Sequence, residues 1–319
     1  MMGSGAVLNN LLTAHRNYGL LIALILVAIA FALAAPSFGT TGNLFAMLHA
    51  MGPSSLAASG MALIILTGKI DISIGSNAFL SASLGALLME AGYSPALAFI
   101  VTLVAGTLLG AVNGFLVAYL RINSLIATLG TMMGYRGIAL MLTNARVIPL
   151  PDSLGPLANA TIGPIFIDTI VMLMIVALVH LVHRSTSFGR TLTAVGNNEE
   201  TAGKIGLNTR RTVFVTFAMA GLLAACSASS SFIQVGSISG FLGKGLEFNA
   251  IAISVVGGIS LAGGRGKIVP GVLIGAAAFQ VISNGLNQIS ADPYIYQLVT
   301  GAVIFVAMYM DAFKRSSLR

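Results

Sequence analysis

Apolar stretches long enough to cross a bilayer follow one another along this chain, separated only by short clusters of Gly, Pro, Ser and Asn. A helix needs about 20 apolar residues to cross the hydrocarbon core. A chain of 319 residues that is 56% hydrophobic and only 8% charged cannot hide such runs in one water-soluble core. Lipid offers no hydrogen bonds to a free backbone, so each crossing segment has to be a helix. The sequence therefore predicts an all-α, polytopic transmembrane helical bundle, a single domain over 1–319. Breakers divide it into about ten spans, at 18–35, 44–67, 72–90, 94–120, 123–143, 165–183, 211–235, 249–264, 268–289 and 293–311.

Lysine and arginine orient the spans, because cytoplasmic loops retain an excess of them. With both termini in the cytoplasm, all of these residues except Arg136, Arg146 and Lys244 fall on the cytoplasmic side or flank it. The net charge of +7 and pI near 9.9 fit that bias. No basic stripe or aromatic RNA motif accompanies them, so a nucleic-acid partner is not expected. Cys226 is the one cysteine, which excludes an intrachain disulfide or a cysteine-built metal site. The first apolar run reads as a retained span rather than a cleaved signal, since Pro36 follows the Ala-Ala of "LAAPSFG". Segment 143–164, with four prolines, is either a plain connector or a docking surface on the outer side. A weak internal echo links "ILTGKIDISIGSNAFL" to "VVGGISLAGGRGKIVPGVL", the kind of duplication transporters often carry.

Inside the spans, titratable groups are scarce. No row of Asp, Glu or His forms a proton relay, and no two histidines pair with a carboxylate as metal ligands. Neutral hydrogen-bonding groups are present instead: Asn113, Thr128, Tyr135, Asn249, Gln280, Asn284 and Asn287 are candidates for a translocation pathway. Gln280, Asn284 and Asn287 recur at i, i+4 and i+7, on one helix face. Amides there can exchange hydrogen bonds with an uncharged, hydroxyl-rich solute, or equally tie helices together. Asp71, with Ser73, can cap the span that follows it, and Glu247 can do the same for its own. A gate or substrate contact is the alternative for both. "SLGALL" and "GTLLGAVNG" have the small-xxx-small spacing of closely packed helices. Catalytic motifs are missing. The nearest approach to a P-loop, "GGRGKI", puts Ile268 where a hydroxyl must hold magnesium, and neither G-x-S-x-G nor H-E-x-x-H occurs. No catalytic residue or bound cofactor is expected.

The exception to this apolar pattern is "GRTLTAVGNNEETAGKIGLNTRR" (189–211), crowded with charge. Asn197 and Glu200 have N-cap and N3 spacing. Glu199 and Glu200 precede Lys204 as the helix dipole favours, and Gly206 can close the helix in a left-handed conformation. A short cytoplasmic helix over 198–205 is predicted between spans 6 and 7, with Ala202 and Ile205 on one face. A helix this short is marginal alone in water, so it should rest on a partner.

This stretch resembles the coupling loop of ribose-type ABC importer permeases. Three more stretches are similar to the same family in the same order: "LTGKIDISIGS" (66–76), "NGFLVAYLRINSLIATLGTMMGYRG" (113–137) and "GLEFNAIAISVVGGISLAGGRG" (245–266). Lys69 stands where the family usually has Gly, Asn123 where it has Pro, and Asn249 where it has Asp. The resemblance implies a multi-pass permease of the bacterial cytoplasmic (inner) membrane that moves a monosaccharide. It would act with an ATPase subunit that binds ATP and Mg, a second permease copy or paralogue, and a periplasmic or lipid-anchored sugar-binding protein, within membrane lipid. Gly196, Asn197, Asn198, Glu199, Glu200, Ala202, Lys204, Ile205 and Gly206 would couple the chain to the ATPase. A permease for branched-chain amino acids or another small polar solute, or an ion-coupled secondary carrier, are the alternatives. The secondary carrier would need ion sites in the membrane, which the spans hardly offer.

Overall fold

The computed structural model describes residues 24–316. Arg16, residues 18–23 of the first expected span and Arg319 lie outside them. After α1 (Leu24–Ala34), the Thr40 hydroxyl caps α2 (Thr41–Ala50) by accepting from the Asn43 N–H. Helix α3 (Gly52–Leu66) follows at once. Pro53 has no N–H to continue the ladder, and α2 and α3 meet at 43°. The expected span 44–67 is thus a bent pair. α4 (Ile74–Glu90), α5 (Pro95–Ala118) and α6 (Ser124–Thr143) keep to the predicted limits. Ser94 caps α5 with Pro95 in its first turn, and Asn123 caps α6.

Segment 144–166 is more than a plain connector. It contains β1 (Ile148–Pro149), α7 (Gly155–Ala158), and the hairpin of β2 (Thr161–Ile162) with β3 (Ile165–Phe166). Then come α8 (Ile167–Ser185), α9 (Ser187–Asn197), α10 (Glu199–Lys204) and the long α11 (Thr209–Val235). Strand β4 (Ser237–Ile238) pairs antiparallel with β1. The remaining helices are α12 (Leu246–Val256), α13 (Ile268–Gln288) and α14 (Pro293–Ser316). The span expected at 249–264 is only the 11-residue α12. At 1.5 Å per residue it reaches roughly 17 Å, too little to cross by itself. Residues 257–267 are irregular.

Helices α5, α6, α8, α11 and α13 are each long and apolar enough to cross a membrane, and the bent pair α2–α3 makes a sixth candidate. The chain is therefore a multi-pass helical membrane protein. At its centre, α3 is buried along nearly its whole length, beside α8, α11, α12 and α13. α5 and α8 lie at the periphery. Val104, Leu108, Val112 and Phe115 form an exposed stripe along α5, a surface suited to lipid and not to water.

Small residues let α5 and α11 touch backbone to backbone. A Cβ on Gly106 would lie 2.7 Å from the Gly221 carbonyl oxygen, and one on Gly110 would overlap the Phe217 carbonyl. In lipid the hydrophobic effect does not drive helices together, so such close van der Waals contact carries the association. The expected small-xxx-small run of "GTLLGAVNG" is this α5–α11 crossing.

The end of α3, the charged segment and the loop before α13 meet at one end of the bundle. The Gly264 N–H donates to the Leu66 carbonyl oxygen (2.9 Å), Lys69 pairs with Glu199, and the Val269 N–H donates to His180 Nδ1. At the opposite end, Arg146 pairs with Glu90, and the Leu150 N–H donates to the Gly236 carbonyl oxygen (2.9 Å).

Gly110→Ala should destabilise the purified protein by about 1–3 kcal/mol, because its methyl group meets backbone. Gly130→Ala, with open space around it, should be neutral or gain up to about 1 kcal/mol from its helix position. Thermal melts in detergent check the difference in sign.

Candidate functional site

The charged segment folds as two helices. The Thr186 hydroxyl accepts from the Gly189 N–H (3.2 Å) and opens α9. Helix α9 was not expected from the sequence, although Phe188, Leu192 and Val195 recur at i, i+4 and i+7. Leu192 and Val195 are buried. Because α9 runs through Asn197, the break falls one residue later than expected, at the extended Asn198. Asn198, not Asn197, caps α10, its Oδ1 accepting from the Thr201 N–H (2.8 Å). Lys204 pairs with Glu200 across one turn (2.7 Å). Gly206 adopts φ 85° as expected, ending the helix left-handed. Ala202 and Ile205 do not share a face. Ala202 is buried with Val195 and Val213, whereas Ile205, past the last helical residue, is 70% exposed.

A junction of glycines fastens this segment to the membrane core. A Cβ on Gly196 would overlap both the Leu66 carbonyl and the Gly264 amide, and one on Gly264 would overlap the Asn197 side chain. The end of α3, the end of α9 and the loop before α13 therefore meet at backbone contact. At Gly196 the contact is main chain against main chain on both sides, so movement of any one of these three presses on the others.

The polar candidates divide into engaged and open groups. Asp71 Oδ1 accepts from both the N–H (2.8 Å) and the hydroxyl (2.7 Å) of Ser73. Asn113 Nδ2 donates to the Ser73 oxygen (2.6 Å), which locks α5 to the start of α4. Thr128 accepts from the Ile72 N–H (3.1 Å), and the Tyr135 hydroxyl donates to the Leu109 carbonyl oxygen (2.9 Å). Asn284 exchanges two bonds with Asn43 (2.9 and 3.0 Å), and Gln288 also donates to that Asn43 (3.2 Å). All of these tie helices together. Glu247 is buried in the first turn of α12, against Gly75. Gln280, half-buried, and Asn287, exposed, lie on α13, and the half-buried Asn249 lies on α12. None of these three amides has a side-chain hydrogen bond among the described residues.

A model of the family described as "Branched-chain amino acid transport system / permease component" matches residues 43–308. The chain belongs to this permease family. It is 34% identical to the ribose import permease protein RbsC of Escherichia coli strain K12, over 92% of each chain. The probable ABC transporter permease protein YphD of the same strain is 34% identical, over 96% of this chain and 92% of that one. The autoinducer 2 import system permease protein LsrC of Photorhabdus luminescens is 34% identical, over 82% and 80%. A solved structure described as a metal-chelate type ABC transporter in an inward-facing conformation shares the fold, with TM-score 0.56 at 16% identity, over 93% of this chain and 99% of that one. The chain is thus a transport subunit of an ABC importer, with no catalytic role of its own.

Two departures of this permease from the usual family residues have visible work. Lys69 Nζ bonds Glu199 Oε2 of α10 at 2.9 Å, clasping the α3–α4 turn to the charged segment. Asn123 supplies the α6 cap that a proline could not, its Oδ1 accepting from the Leu125 N–H (2.9 Å).

Sequence reasoning did not single out Arg136 of α6. It donates to the carbonyl oxygens of Gly240 (3.0 Å) and Leu242 (3.3 Å) and lies over the Phe79 ring, holding the loop between β4 and α12. Nor did it pair His49 Nδ1 with Asp168 Oδ1 (2.7 Å), whose Oδ2 accepts from Gln234 (2.6 Å). This network links α2, α8 and α11 at the end opposite α10. No local signal marks it, because its members are far apart in the chain.

In the purified permease, Asp71→Ala and Asn113→Ala should each cost about 1–3 kcal/mol, since each leaves a buried partner unsatisfied. Asn249→Ala and Gln280→Ala should stay within about 0.5 kcal/mol. Denaturation curves separate the two pairs, and equal losses would contradict the division.

Proposed function

We propose that this chain crosses a bacterial cytoplasmic membrane about ten times, with both termini in the cytoplasm, and imports a monosaccharide. It would work in a pair, with a second copy or a paralogue. An ATPase partner holding ATP and magnesium would grip α10, and an external sugar-binding protein would deliver the cargo. The observation that carries the mechanism is the attachment of α10. The segment presents Glu200, Lys204 and, just past the helix, Ile205 outward, while Gly196 and Asn197 press on Leu66 and Gly264. Nucleotide-driven closure of the ATPase would then push α3 and the loop leading into α13, in addition to α8 and α11. The open amides Asn249, Gln280 and Asn287 lie on the two helices flanking that loop, so the same push alters the path the solute meets. Two states, each open to one side, are biased by the nucleotide.

The cargo reading rests on the ribose import relatives and on the chemistry of the open groups. An amino acid carries two charges and calls for charged partners in a dry path. Here Asp71 and Arg136 are bonded into helix packing, and the open candidates are neutral amides. The same observation disfavours an ion-coupled carrier, which needs ion ligands within the membrane.

Inactivating the ATPase should abolish uptake into reconstituted vesicles, and uptake that persisted would replace this mechanism with a secondary carrier. Glu200→Ala combined with Gly206→Pro should leave the permease inserted yet break the link between ATP hydrolysis and uptake. Gln280→Leu should slow uptake several-fold at unchanged assembly. Competition by unlabelled pentoses and hexoses, against leucine, reads the cargo class.

A further inference from the structure

Where α8, α9 and the start of α13 meet, a cleft of about 570 Å³ is lined by His180, His183, Arg184, Arg190, Thr193 and Lys267. No carboxylate lines it. Arg184, Arg190 and Lys267 make no ion pair among the described residues. Like charges around one cavity repel one another unless an anion sits between them. His180 Nδ1 accepts from the Val269 N–H (3.3 Å), which leaves Nε2 as the donor nitrogen of the neutral ring. The cleft therefore offers cations and N–H donors and no opposing charge, the chemistry that recognises a phosphate group.

Its surroundings indicate where that phosphate comes from. Met174, Leu178 and Leu181 form an exposed apolar stripe on α8 that runs up to Arg184, placing acyl-chain surface beside the cationic cleft. Retention of basic loops in the cytoplasm asks only for charge in those loops and does not explain three cations lining one cavity from α8, α9 and the loop before α13. We propose that this cleft binds a phosphate group, supplied by the headgroup of an anionic phospholipid whose chains lie along the α8 stripe. The bound lipid would touch α9, and through it the segment that carries α10.

The test is lipid retention by the full chain purified in detergent, read by native mass spectrometry and by thermal shift. The probes are phosphatidylglycerol, phosphatidylcholine and sodium phosphate. The wild type should prefer phosphatidylglycerol, and R184Q/R190Q/K267Q should weaken its binding about 100-fold, at about fivefold for each charge removed. R190Q alone should weaken it about fivefold, which keeps the proposal testable if the triple variant folds poorly. R184K/R190K and the control R210Q/R211Q, on the same end of the molecule, should bind within about threefold of wild type. Equal binding of the two lipids, or undiminished binding by both R190Q and the triple variant, would overturn the proposal. Stabilisation by sodium phosphate that is lost in the triple variant, with no lipid retained, would overturn the lipid source and make the cleft a site for free phosphate. Uptake is not the readout, so either result leaves the transport reading standing.

Discussion

A bilayer gives a protein no water with which to satisfy its backbone, and the interior of this chain is arranged around that constraint. At several places where a helix bends or stops, a side chain or an amide from elsewhere in the sequence reaches the carbonyl concerned. Ser227 donates to Pro53 at the start of α3, and Gln234 donates to His49 just before the bend. Arg136 serves two carbonyls of the loop before α12, and Gly264 closes the last turn of α3. The polar residues of this membrane domain are thus spent mainly on backbone. Few remain to meet a solute, which is why the open amides on α12 and α13 stand out.

The same economy explains the coupling end. In the proposed mechanism, a signal that begins at α10, a helix of six residues, has to enter a bundle whose centre is closely packed. Long side chains would bend before they transmitted displacement. Contact of backbone with backbone through Gly196 and Gly264 does not bend, and the Lys69–Glu199 pair adds an adjustable tie beside it. An exposed pair of this kind contributes at most about 1 kcal/mol, so it can open and close within a transport cycle.

Much of the fold was legible in the sequence because its punctuation is local. Pro95, Asn123 and Gly236 end or begin helices by their own chemistry, and α5, α6 and α11 fall close to the expected limits. The short α12 was not legible. Its apolar run continues through Ile259 and Leu261, although Gly258, at φ 92°, already ends the helix in a left-handed turn. The candidate path was half legible. Periodicity places Gln280, Asn284 and Asn287 on one face, but it cannot reveal that Asn284 meets Asn43, 241 residues earlier. The off-by-one cap at Asn198 has a similar origin, since α9 claims Asn197 through contacts with the body of the protein.

The crossing of α5 and α11 has a consequence for how such a protein can change over generations. In most cores a residue can grow if its neighbour shrinks, and sequences drift by such paired exchanges. Gly110 and Gly221 are already at the floor of the size scale, and what a new side chain would strike is main chain, which cannot be substituted away. No second mutation on the facing helix can make room. This part of the bundle is therefore closed to compensation, and divergence among descendants is pushed outward to the lipid-facing stripes and the loops.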